Sequence, residues 1–117
     1  MSLNRQKYQD LATLLKELRL DATSTQIDAP QLRQRLASLQ QMFQQQIIPL
    51  ADEDSRVLSY RTEISKQLRL LEIDIMFFQG ARQLATAKTR LETIGDRLST
   101  LIGYCDAILQ QEYQEEK

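Results

Sequence analysis

The chain contains no His and no Trp, a single Cys, two Pro, three Gly and one Val among 117 residues. Each scarcity removes a class of chemistry or structure. Without His, the usual general base of hydrolases and transferases and the common imidazole metal ligand are missing. One Cys cannot close an internal disulfide, and there is no Cys/His cluster to hold zinc. No G-x-x-x-x-G-K or G-x-G-x-x-G string is present to cradle a phosphate. One Val and three Phe are thin material for a sheet, since strands favour β-branched and aromatic residues.

Charge of one sign is lacking too. Fifteen basic side chains stand against sixteen acidic ones, a net charge of −1. Such a balance gives no general attraction to a phosphate backbone, whose binding relies on Lys and Arg displacing counterions. Arg33, Arg35, Arg56, Arg61 and Arg69 alternate with acids or glutamines and read as solvated helix faces. No nucleic-acid partner is expected. A small transcription factor is disfavoured on the same ground.

Long apolar runs are also absent. Within the predicted helices the longest is Ile75–Phe78, far short of the roughly 20 residues of a membrane span. The first ten residues, MSLNRQKYQD, lack the apolar run of a secretory signal. The expectation is a soluble cytoplasmic protein without a membrane partner.

What the chain does contain is helix-forming material: 19 Leu, 16 Gln and 10 Arg, side chains that lose little rotamer freedom in a helix. The length fits one domain, which can hide roughly 65% of its unfolded surface. Helix one is predicted over about 3–20, with Tyr8, Leu11, Leu15 and Leu18 on one face and Leu14 beside them. The Ser, Thr and Asp residues of 21–28 read as a connection.

Asp28-Ala29-Pro30 is a helix start, a capping carboxylate followed by a proline whose missing N–H costs nothing there. Helix two is predicted over about 30–48, with Leu32, Leu36, Leu39, Phe43 and Ile47 on its apolar face. The glutamines of 40–46 read as its solvated side, and Pro49 ends it near Ile47 or Ile48. Asp52-Glu53-Asp54-Ser55 resembles the start of a calcium loop, but Val57 stands where an EF-hand needs Gly. These acids read as the cap of helix three.

Helix three is predicted over about 55–79. Val57, Ile64, Leu68, Leu71, Ile75 and Phe78 form its core stripe, within about 40° of one direction at 100° per residue. Leu70, Ile73, Met76 and Phe77 occupy the other side, so the second half is apolar nearly all round and predicts burial on two sides. Gly80 is expected to cap the helix in the left-handed conformation, followed by an antiparallel turn over 80–83. Helix four is predicted over about 84–112, with a stripe of Leu84, Leu91, Ile94, Leu98, Leu101, Cys105 and Ile108 and a fraying tail of Glu112, Glu115, Glu116 and Lys117.

The fold class expected is all-α: an antiparallel four-helix bundle running up-down-up-down. One alternative stays open, because Phe77, Ala81, Leu84, Ala87 and Leu91 keep helical phase straight through Gly80. Helices three and four would then fuse into a rod of roughly 90 Å, able to bury its faces only in a dimer.

Catalysis finds little support. Cys105 lies in a core stripe and reads as packing rather than as a nucleophile. Glu63, Glu72 and Glu92 lack the Glu-x-x-His partners of a di-metal bundle. The expectations are no enzyme activity, no cofactor and no metal. Binding through surfaces is what remains, and Leu70, Ile73, Met76 and Phe77 are the candidate partner-binding residues. They belong either to the bundle's own core or to a patch for a partner, Met and Phe being enriched at such surfaces.

Three stretches, LNRQKYQDLATLLKEL, SRVLSYRTEISKQLRLLEIDIMFFQGARQ and RLETIGDRLSTL, make the chain resemble the PatD family, the heterocyst frequency control proteins of filamentous cyanobacteria. The resemblance spans essentially the whole chain and carries no catalytic signature. It implies a soluble cytoplasmic helical regulator that tunes, under nitrogen limitation, how many cells become heterocysts. It also implies contact with the tubulin-like division protein FtsZ. The expected function is a non-enzymatic regulator acting by protein–protein contact, as a monomer or homodimer. The alternative is a structural helical dimerisation module with no regulatory partner of its own.

Overall fold

The computed structural model describes residues 3–24, 28–51 and 54–115. Among them the chain forms four α-helices and no strand: α1 (Leu3–Thr23), α2 (Ala29–Met42), α3 (Ser55–Gly80) and α4 (Leu84–Glu115). A π-helical turn, Phe43–Ile47, continues α2. The body measures 51 × 22 × 20 Å. At about 1.5 Å per residue, α4 runs roughly 48 Å, nearly that whole length.

The sense of each helix is fixed by side chains that meet across the seams. Between α1 and α2, Arg35 pairs with Asp21 and Lys7 Nζ donates to Gln46 Oε1 at 2.9 Å. Between α2 and α3, Arg33 donates to Gln79 and Gln40 to Glu72. Between α3 and α4, Arg97 pairs with Asp74, and Tyr60 packs on Tyr104 with ring centroids 5.9 Å apart. Between α4 and α1, Arg5 Nη1 donates to the Leu109 carbonyl at 2.8 Å and Arg19 Nη1 to Ser99 Oγ at 3.2 Å. In each pair a rising number meets a falling one, so all four seams are antiparallel. This is the up-down-up-down bundle, and the fused rod is not formed.

The local signals act much as their chemistry predicts. Asp28 accepts from the Gln31 amide at 2.9 Å with Pro30 in the first turn, and Asp54 accepts from the Arg56 amide at 2.8 Å. Asp52 and Glu53 lie outside the described residues. The glutamines at 41 and 44–46 are exposed. Before Pro49, which has no N–H, the Ile48 amide reaches five residues back to the Phe43 carbonyl at 3.0 Å.

Three boundaries differ from expectation. α1 continues through the predicted connection to Thr23, because Ala22 is buried, Asp21 finds Arg35 and the Thr23 hydroxyl bonds back to the Leu20 carbonyl. α3 includes Gly80, and no described residue has a positive φ. The helix stops instead where Ala81 turns extended, its N–H donating to the Phe78 carbonyl. α4 continues to Glu115, and residues 116 and 117 lie outside the described residues.

The core combines Tyr8, Leu11 and Leu15 of α1, Leu32, Leu36 and Phe43 of the second rod, Ile64, Leu71 and Ile75 of α3, and Ile94, Leu98, Leu101, Cys105 and Ile108 of α4. Two expectations fail here. Arg61, read as part of a solvated face, is buried at 8% exposure. Leu84, assigned to the α4 core stripe, is 88% exposed and Leu91 only half-buried.

Candidate functional site

The interior of the described residues holds one thiol, that of Cys105. Cys105 is fully buried, and burial, with the nearby Asp106 charge, pushes its thiol from the ordinary 9.0 up to about 12. A thiol held neutral in this way is not a nucleophile. Among the described residues no three His, Cys, Asp or Glu side chains gather to hold a metal ion. No helix among them is long and apolar enough to cross a membrane.

Two apolar surfaces stand out, both toward the end of the bundle where α3 turns into α4. The first is the outer face of α3. Ile73, Met76 and Phe77 are 42%, 61% and 53% exposed, while Leu70 is half-buried. The expected burial on two sides is therefore incomplete: Leu68, Leu71 and Ile75 face the core, and no helix among the described residues lies over the opposite side. The neighbours explain why. Glu72 and Gln79 meet α2 on one flank. On the other, Asp74 and Gln67 receive the Arg97 guanidinium, at 2.5 and 2.7 Å. Both flanks are held, and the ridge between them is left bare.

On that ridge the Arg90 guanidinium of α4 lies 4.8 Å from the Phe77 ring centroid, a cation–π stack. Met76 leans to the other flank, where it lines a groove of about 610 Å³ between α2 and α3 with Pro30, Leu36 and Ile75. Ile73 and Phe77 thus make one surface with Arg90, and Met76 borders the next groove.

The second surface is a shelf on α4. The bond from Arg19 to Ser99 fixes the level of α1, which ends one turn later at Thr23. With 21 residues α1 is roughly 32 Å long, about 16 Å shorter than the 32-residue α4. Above its end a groove of about 850 Å³ opens between Ala22 and Thr23 on one side and Leu84, Ala87 and Leu91 on the other, floored by Phe78. Arg19, Lys88, Glu92 and Asp96 also line it.

Sequence periodicity located the α3 face and did not see the shelf. Leu84 and Leu91 are in phase with Leu98 and so read as core. Phase reports which side of α4 is apolar and is blind to the length of the helix meant to cover it. The burial of Arg61 has a signal in its phase: it stands four residues after Val57 and three before Ile64, on the core stripe itself. No protein-family model, curated protein or solved structure matches the chain.

Proposed function

We propose that the chain is a non-enzymatic regulatory protein that acts by protein–protein contact through the outer face of α3. The observation that carries this reading is the exposure of Ile73 and Phe77 side by side, with Arg90 stacked on the aromatic ring. Scattered exposed apolar residues are ordinary, whereas an adjacent aliphatic and aromatic pair with an Arg partner has the make-up of an interface anchor. The polar residues on both flanks, Glu72, Gln79 and Asp74, form a rim of the kind that surrounds such anchors.

The resemblance to the heterocyst frequency control proteins supports FtsZ as the partner and control of cell differentiation under nitrogen limitation as the process, in the cytoplasm. The contact would occupy a surface on FtsZ and alter its assembly.

The test uses the purified chain with FtsZ in pull-down and light scattering of polymerisation. The wild-type chain is expected to bind or to change polymer mass. The Ile73→Ala/Phe77→Ala variant is expected to keep its melting temperature within a few degrees and to lose the interaction. A wild-type chain inert in both assays removes FtsZ as partner. A variant that melts many degrees lower shows the two side chains to be structural.

A further inference from the structure

We propose that the α4 shelf seats a second copy of this chain, the two protomers packing antiparallel through residues 84–96 about a twofold axis. The inference is independent of the identity of any other partner, and it leaves the outer face of α3 free.

The first observation is a repeat. Leu84, Leu91, Leu98 and Cys105 follow one another at intervals of seven, as do Ala87, Ile94, Leu101 and Ile108. These two series occupy the a and d positions of a coiled coil, the pattern of a helix covered along its length. From Ile94 onward, the bundle buries every one of them. Leu84, Ala87 and Leu91 continue the seam past the end of α1, where no helix among the described residues covers them. A helix is the shape that fits, since the shelf prolongs a seam already filled by one.

The second observation is charge. Over 82–96 the cations come first, Arg82, Lys88 and Arg90, and the anions follow, Glu92 and Asp96. Arg90 is turned away onto Phe77. Lys88, Glu92 and Asp96 line the groove itself. Two copies of this segment side by side in parallel would set like charges together. Reversed about an axis near Thr89, they set Leu91 of each copy on Ala87 of the other. Arg82 then lies level with the partner's Asp96, and Lys88 comes within a turn of the partner's Glu92. The segment is complementary to itself in one direction, which is what an isologous twofold contact requires. A net charge of −1 adds almost no repulsion between copies.

A third feature assists. Gly95 lines the same groove, and nothing lies within 4 Å of where its side chain would begin. A helix approaching there meets bare backbone.

Sedimentation equilibrium of the full chain, from low to high micromolar concentration, tests the proposal. The expected species is a dimer of twice the 13.6 kDa chain mass. Leu84→Glu changes a side chain that is 88% exposed in the protomer, so its helical circular dichroism should be unchanged while dimer dissociation rises at least tenfold. Lys88→Glu should weaken the dimer, and adding Glu92→Lys should restore it, because the reversed pair meets again across the axis. The Ile73→Ala/Phe77→Ala variant should dimerise like the wild type. A monomer at every concentration, a dimer indifferent to Leu84→Glu, or a dimer lost on changing Ile73 and Phe77 each overturns the proposal. Loss of FtsZ binding with the dimer intact bears on the α3 face alone.

Discussion

Arg61 of α3 donates from Nε to the Tyr8 hydroxyl of α1 at 3.1 Å, joining two helices that stand diagonally across the bundle. Nη1 donates to the Leu50 carbonyl at 3.1 Å, and Nη2 is buried without a hydrogen-bond partner among the described residues. Leaving a buried donor unmade costs about 1–3 kcal/mol. Tyr8→Phe removes the acceptor and is expected to lower unfolding stability by that amount in urea titration. Arg61→Met removes the donors. The double variant should lose less than the sum of the two single losses, since the Tyr8–Arg61 bond is then lost once rather than twice, while the Leu50 carbonyl loses its donor in both Arg61→Met backgrounds. Strict additivity would show the pair to be uncoupled.

Cys105 makes stability depend on high pH. In the unfolded chain the thiol ionises near 9.0, and in the folded chain near 12. Between these values the unfolded state has released a proton that the folded state still holds, so stability falls as pH rises, by up to about 1.4 kcal/mol per pH unit. The difference in stability between the wild type and Cys105→Ala should shift with that sign across this window and be flat below it. At neutral pH the native thiol should resist maleimide and react freely once urea unfolds the chain.

Gly103 sits exposed within α4, and a methyl group there meets nothing within 4 Å. Gly in a helix interior is less favourable than Ala by about 1 kcal/mol. Gly103→Ala should therefore raise stability by up to that amount, measured as a higher urea midpoint with an unchanged slope. A fall in stability would reveal a contact at this position.

The Asp28 carboxylate caps α2 through the Gln31 amide. Asp28→Ala is expected to cost about 1 kcal/mol. Asp28→Ser, which keeps an acceptor, should recover most of the loss.

How much of this could be read in advance differs from element to element. The caps at Asp28 and Asp54, the Pro49 stop and the stripes of α1, α2 and α3 were legible because each depends on neighbours within a few residues. The end of α1 was not. Asp21, Ala22 and Thr23 favour a turn locally, and they stay helical because Arg35 and the core reach them from elsewhere. Gly80 ends nothing by itself, since Ala81 makes the exit in a conformation any residue adopts. For the candidate site, the α3 face was visible as a second apolar side of one helix. The shelf was hidden because it arises from a mismatch in length between two helices. Arg61 is buried against its charge because its phase puts it on the α3 core stripe, where Tyr8 and the Leu50 carbonyl accept from it.

Brevity has a consequence for α2. Its 14 residues, 19 with the π-helical turn that continues it, still make it the shortest of the four rods, and clefts of about 410 and 610 Å³ run along both of its sides. Fewer interlocking side chains retain it than retain α4, so it is the part of the molecule that detaches most easily while the others stay assembled. Deuterium should enter the amides of Leu32–Leu39 well before those of Leu98–Ile108, through partial opening rather than complete denaturation. The protein would then behave as a sturdy three-rod frame with one loosely latched side.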